Sequence, residues 1–219
     1  MNVGDVVAVF VKDENIVING EITFVHTNGD VSLDRRKRTG MMEHGANVRH
    51  KIEDILLPVD DVLTIPDGNY KKIDISLDYK LKRLVCDNVT TEQRFDVAFE
   101  SLLSLKMPRI IKGYLRVSTE GEGVKKFENM ASSVATDMAV HMDGATLHQF
   151  PKMLHGDIDI YGTGIVNMLS LLNSGCRMFS IDKVLKTQKN PKRNVGVFRN
   201  KLALIQEGNK KLATMEFIV

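Results

Sequence analysis

The sequence predicts an α+β protein: an N-terminal small β-barrel over residues 1–65, then a larger mixed α/β domain over residues 72–219. Three observations carry this. Short β-branched runs broken by Asn-Gly pairs fill the chain as far as Leu57. Pro58, Pro66, Gly68 and several aspartates mark 58–71 as a linker. From Ile73 onward apolar residues recur at three- and four-residue spacing, the period of a helix face. With 43% hydrophobic and 26% charged residues the chain is expected to be globular. At this length a compact fold buries roughly 70% of the extended chain's surface.

The elements follow in order. Val6–Val11 is apolar at every position and reads as the first strand. Lys12-Asp13-Glu14-Asn15 turns the chain, Ile16-Val17-Ile18 resumes, and Asn19-Gly20 punctuates. Glu21–Val25 alternates with period two, Asn28-Gly29-Asp30 turns, and Val31-Ser32-Leu33 is the next strand. Val48–Leu57 offers one more strand or a short helical turn. In the second domain a short helix is expected within 73–86, with Leu77, Leu81, Leu84 and Val85 inward. Thr90-Thr91-Glu92-Gln93 has the form of a capping box. It would open a helix burying Phe95, Ala98, Phe99, Leu102 and Leu103 and stopping at Pro108. Ile110–Val117 reads as a strand. Val124–Met142 reads as a second long helix, its stripe Val124, Phe127, Ala131, Val134 and Met138. Asp157–Tyr161 is an expected edge strand, and Gly164–Ser174 an expected buried helix capped by Thr163. Cys176–Ile181 and Leu212–Val219 read as strands, and no internal repeat is visible.

The N-terminal segment carries a resemblance. Val3-Gly4-Asp5-Val6-Val7-Ala8-Val9, Gly20-Glu21-Ile22, Gly29-Asp30-Val31-Ser32-Leu33 and Ile52-Glu53-Asp54-Ile55 together resemble a Tudor- or KOW-type small barrel. The resemblance implies binding of nucleic acid, protein tails or neighbouring subunits, without choosing among them.

Charge is unevenly spread. The net charge of +2 divides into −4 over residues 1–66, −1 over 67–182 and +7 over 183–219. Two basic clusters stand out. Arg35, Arg36, Lys37 and Arg38 are consecutive, and Lys183, Lys186, Lys189, Lys192, Arg193, Arg199 and Lys201 recur around Asn190-Pro191. Such clusters can pair with successive phosphates of DNA or RNA, with an affinity that falls as salt rises. They can equally be solvated faces. The expectation is a non-enzymatic nucleic-acid-binding protein contacting phosphates through these clusters, largely without sequence preference. The alternative is a structural or adaptor subunit of a larger assembly, such as a virion or regulatory complex, using a protein partner or self-association. A terminal strand ending at Val219 could pair with another chain.

Other motifs weigh less. Tyr114-Leu115-Arg116-Val117-Ser118-Thr119 resembles the opening motif of serine recombinases, which implies Ser118 as a phosphate-attacking nucleophile and Arg116 as its neutralising cation. That is a second alternative, an enzyme acting on phosphodiesters. The family places its motif at the start of the catalytic domain, whereas here it begins at Tyr114, and Glu122 stands where the family has glutamine. His141, His148 and His155 are spaced by sevens, with Asp137 four before His141, but Gly144, Pro151 and Gly156 interrupt any shared helix. Gly162-Thr163-Gly164 has half of a phosphate-binding turn and lacks its Lys-Ser/Thr. The eleven methionines read as packing in a chain without tryptophan. No catalytic residue, metal or cofactor is expected. Cys86 and Cys176 form no CxxC pair, no apolar run reaches the ~18–20 residues of a membrane span, and no secretory signal is visible. A reducing, cytoplasmic location follows as an expectation.

Overall fold

The computed structural model describes residues 1–36, 47–119, 123–147, 149–166, 170–171, 174, 178–181 and 216–218. Its strands form one 17-stranded sheet. The first five are β1 (Val6–Val11), β2 (Ile16–Val25), β3 (Val31–Arg36), β4 (Val48–His50) and β5 (Ile55–Leu56). They pair antiparallel, with β1 on β2 and β5, and β3 on β2 and β4. The run Val6–Val11 is apolar throughout because both faces of β1 are covered. Val7, Val9 and Val11 pack with Ile16, Ile18, Ile22, Val31, Leu33 and Ile55 in a local core. Ala8 and Val17 instead join the main core, and Phe10 meets Tyr70 edge-on with ring centroids 5.3 Å apart.

The remaining strands form a parallel coil. They are β6 (Val62–Thr64), β7 (Gly68–Val85), β8 (Val89–Lys106), β9 (Ile110–Ile111), β10 (Tyr114–Thr119) and β11 (Lys126–Asn129). Then come β12 (Ser133–Val134), β13 (Met138–Leu147), β14 (Met153–Leu154), β15 (Ile158–Val166), β16 (Met178–Ile181) and β17 (Glu216–Ile218). Successive turns stack in register: Ile73, Phe95, Leu115, Met138 and Ile158 form one column, continued by Phe179 and Phe217. Ile75, Val97, Val117, Val140 and Ile160 form the next. The first five residues of the first column and all five of the second are at most 1% exposed, so the coil is packed solid with aliphatic and aromatic side chains.

The architecture corrects the α+β expectation. Among the described residues the protein is almost entirely β and solenoid-like, and no larger mixed α/β domain follows the N-terminal strands. Nor are those strands a separate small barrel: they belong to the same sheet as the coil. The helices expected within 73–86, 90–106 and 124–142 are strands β7, β8 and β11–β13. The expected helix at 164–174 begins as strand, since β15 runs to Val166; Ser170 and Leu171 have helical backbone. The apparent lack of a repeat is also corrected. The chain returns to the same column after about 20–23 positions, an uneven step that hides the period.

The helical signal has a physical source. Register shifts within the long strands β7 and β8, and connections between the short strands that follow, displace the two-residue alternation. Phe95, Val97 and Phe99 point inward at period two, then Leu102 and Leu105 follow at period three. Val124, Ala131, Val134 and Met138 are all buried and Phe127 packs beside them, but Phe127, Val134 and Met138 lie on three separate strands, with Val124 and Ala131 in the connections. The apolar positions are therefore inward as expected, on elements of another kind. The supposed capping box is the start of β8, with Thr91 fully buried and Glu92 holding Lys112 at 2.7 Å.

The N-terminal sheet covers the first edge of the coil. One edge of β2 runs along β1; the other pairs first with β7 (Ile16–Ile18 on Lys72–Asp74), then with β3. Asn19 stands at that switch, 3% exposed, and its Oδ1 accepts the backbone N–H of Ser76 at 2.8 Å. The Lys71 N–H donates to the Asn15 carbonyl, and the Lys82 N–H to the Asp61 carbonyl. An unpaired strand edge is a template for aggregation, and here it is satisfied by acceptors at Asn15, Asn19 and Asp61.

Candidate functional site

Of the residues expected to touch phosphate, two fall within the description. Arg35 and Arg36 close β3, and the Arg36 backbone lies opposite Asn19. Lys37, Arg38, Lys183, Lys186, Lys189, Lys192, Arg193, Arg199 and Lys201 lie outside the described residues. The Arg35 guanidinium is engaged: its Nη1 donates to Glu14. It lines a cleft of about 290 Å³ with Lys12, Arg49, His50 and Asp54. The other cations there are matched too, Lys12 by Asp54 at 2.5 Å and Glu53 at 3.2 Å, Arg49 by Asp30 at 2.8 Å. His50 is 8% exposed, and among the described residues its Nε2 has no hydrogen-bond partner. Burial, with the Arg35 guanidinium nearby, holds its pKa below the ordinary value, Asp54 acting in the opposite sense. Nothing in the sequence marks His50; the signal is spatial, since β4 carries it beside Val31.

The coil is matched in the same way. Arg94 pairs with Asp74, Lys106 with Asp87, Lys112 with Glu92 and Lys82 with Asp61. Arg83 grips Glu128 with two bonds, Nε to Oε1 at 2.6 Å and Nη2 to Oε2 at 2.5 Å. That fork, with Ser104 and Lys126 beside it, holds the Glu128 carboxyl at about 2 against the partial burial that opposes ionisation. These pairs bridge turns of the coil, where single-sequence reading sees only scattered charge.

Two features are not neutralised this way. The first is apolar. Met1, Val3, Phe24, Val25, Ile52, Leu57 and Val59 are exposed on the N-terminal segment, against Leu103 and Met153 on the described part of the coil. Met1, Leu57 and Pro58 line a groove of about 570 Å³ with Gly4–Val7. It opens where β5, pairing only with Ala8 and Val9, leaves β1. The second is polar. Arg116 and Ser118 project from β10 on the face opposite buried Leu115 and Val117, and with Ala139 and His141 of β13 they line a cavity of about 250 Å³.

Comparison with family models, with curated proteins and with solved structures finds no match.

The site must therefore be read from its own chemistry. The recombinase-like segment is a mid-coil strand, paired on one side with β8 and on the other with β13. Its neighbour His141 comes from the heptad-spaced histidines. His155 does not join it, being exposed after β14, and His148 lies outside the described residues. Among the described residues no group of three His, Cys, Asp or Glu side chains could hold a metal ion. Asp137 sits before β13, where its Oδ1 accepts the Asp157 N–H at 2.9 Å. Among the described residues no helix is long and apolar enough to cross a membrane.

Proposed function

We propose that this chain is a structural subunit of a larger assembly, with the coil as a rigid spacer and the N-terminal sheet as the docking end. The observation that carries the reading is the placement of exposed apolar side chains. Phe24, Leu57 and Val59 are 56%, 42% and 72% exposed on a segment that already closes the coil's edge. Contiguous exposed apolar surface marks protein–protein contacts, and the groove lined by Met1, Leu57 and Pro58 lies on this segment. The coil's described surface is dressed instead with matched ion pairs, which keep it soluble without offering a sticky face. Light scattering of the full chain at rising concentration tests the reading. The expected result is a mass above that of one chain that increases with concentration, and that falls to one chain in a Leu57→Asp, Val59→Asp variant. A chain that stays monomeric at every concentration contradicts it.

A second reading, phosphate contact with DNA or RNA, is favoured by one observation. β3 delivers Arg35 and Arg36 to the start of the basic run, and residues 183–219 carry +7. The matched cations of the described surface weigh against a broad basic face. Gel retardation with salt titration separates the readings. Phosphate contact predicts binding at about 50 mM salt that weakens steeply by about 200 mM and when Arg35, Arg36, Lys37 and Arg38 become alanine. No retardation at low salt removes this reading and leaves the first intact.

A further inference from the structure

We infer that the cleft between β1, β3 and β4 is a binding site for a small uncharged molecule carrying a carboxamide. Two buried nitrogens point to a guest there. His50 is 8% exposed and Arg35 lines the same cleft; among the described residues neither the His50 Nε2 nor the Arg35 Nε has a hydrogen-bond partner. Register brings the two together. Opposite residues of an antiparallel pair share a face, so His50 opposite Val31 and Val48 opposite Leu33 lie on one face. Arg35, two residues past Leu33 on β3, returns to that face by strand alternation. The cleft holds about 290 Å³, near the lower end of small-molecule sites, and Phe10, Val11 and Val48 supply its apolar lining. Leaving a buried donor unmet is costly, so a group that meets both nitrogens binds with that cost relieved.

The two nitrogens select the guest. Arginine stays protonated, so its Nε is a fixed donor that requires an oxygen. Burial and the nearby Arg35 guanidinium hold the His50 pKa below its ordinary value, so the ring is neutral at neutral pH. With its proton on Nδ1 the neutral ring offers Nε2 as an acceptor. A carboxamide carries both complements at one end, its oxygen for Arg35 and its NH2 for His50. The charges around the cleft disfavour an anion. Glu14 holds the Arg35 Nη1, and Asp54 and Glu53 hold Lys12. A carboxylate guest would bring a further negative charge against Glu14 and Asp54 and would offer no hydrogen to Nε2. None of the residues of this cleft lines the apolar groove at Met1, Leu57 and Pro58, so the site stands apart from the docking surface proposed above.

Nitrogen–proton NMR of the full chain tests the proposal, following the amides of Val48, Arg49, His50 and Lys51 while benzamide, and separately benzoate, is added. The expected result is a saturable shift with benzamide at about 1–10 mM, the range that a ligand of this size reaches. Benzoate should bind about fivefold or more weaker, for want of a hydrogen to give His50. Arg35→Lys keeps the charge that a phosphate contact would use but places no N–H at the Nε position, and His50→Phe keeps the volume without the acceptor. Each should weaken benzamide about fivefold or more, whereas Arg109→Gln, an exposed coil arginine outside the cleft, should bind as the parent does. No saturable shift up to about 50 mM benzamide overturns the proposal, as does benzoate binding as tightly as benzamide in the parent. So does Arg35→Lys or His50→Phe binding undiminished with its coil amides unshifted, or an equal loss in Arg109→Gln.

Discussion

The two halves of this sheet solve the same problem in opposite ways. In the N-terminal strands the partners within the segment are antiparallel and mostly near in sequence, and the runs Val6–Val11 and Ile16–Val25 announce themselves by β-branched residues, with an Asn-Gly turn at Asn28-Gly29 before β3. In the coil the ladder partners are parallel and lie a full turn away along the chain, so no strand has a local signature of its pairing. The charges divide along the same line. Arg83, Arg94 and Lys112 of the coil are matched across successive turns, while the N-terminal segment keeps most of the exposed apolar surface described. A stacked coil is stable along its axis and vulnerable at its edge; the N-terminal sheet covers one edge through the β2–β7 pairing.

Glycine substitutions break the comparison most sharply. A Cβ on Gly113 would stand 1.5 Å from the Gln93 carbonyl oxygen, a backbone atom on the neighbouring turn that cannot move alone. Gly113→Ala is expected to cost about 3–4 kcal/mol or more, seen as loss of the urea transition or a large drop in its midpoint. A Cβ on Gly20 meets the Leu33 side chain at 2.9 Å, which can turn aside. Gly20→Ala should therefore cost only about 1–2 kcal/mol. Equal effects at the two positions would undo the contrast between stacked backbone and adaptable local core.

The joint itself comes next. Asn19→Ala leaves the Ser76 N–H without its acceptor in a buried setting, a loss of about 1–2 kcal/mol. Unfolding should separate into two transitions, the N-terminal sheet melting first; a single unshifted transition would show that Asn19 does not couple the regions.

Acid acts on the N-terminal sheet before the coil. The pKa of His50 is held below its ordinary 6.5, so the unfolded chain binds the proton more readily. Stability is full above about 6.5 and declines as pH falls toward the folded-state value. His50→Phe should flatten the dependence of the denaturation midpoint on pH between about 7.5 and 5.5; an unchanged slope would place the sensitivity elsewhere. Glu128 behaves as its counterpart on the coil. With its carboxyl held at about 2 against an ordinary 4.5, the stability it adds is present above about 4.5 and lost as pH falls toward 2. Glu128→Gln should cost only about 0.5–1 kcal/mol at neutral pH, the smallest of these effects, because the fork is partly solvated.

The inward residues are legible in the sequence and the elements only in part. Val124, Ala131, Val134 and Met138 do line the core, yet their three- and four-residue spacing comes from corners between short strands rather than from a helix. Phe95, Phe99 and Leu102 mislead because the register of β8 on β7 shifts just after Phe99, within one long strand. The strands at 6–11, 16–18 and 21–25 are readable because they run apolar or alternate, but the turn expected at Asn19-Gly20 is absent, since β2 runs through it, and the strand expected over 110–117 is split by a bend at Lys112–Gly113 into β9 and β10. The site is less legible. Arg116 and Ser118 stand out as a motif, but His141 joins them only through a parallel register that no spacing encodes. Arg35 stands out as one of four consecutive cations, and its pairing with Glu14 depends on how β2 and β3 fold back on each other.

Amide hydrogen exchange at Lys71 and Ser76 tests the central claim most directly, since these two donate from the first turn of the coil to Asn15 and Asn19. If the N-terminal sheet seals the edge, both exchange slowly, close to the rate of amides in β8. Fast exchange at these positions, with β8 still protected, would show an open edge and contradict the account.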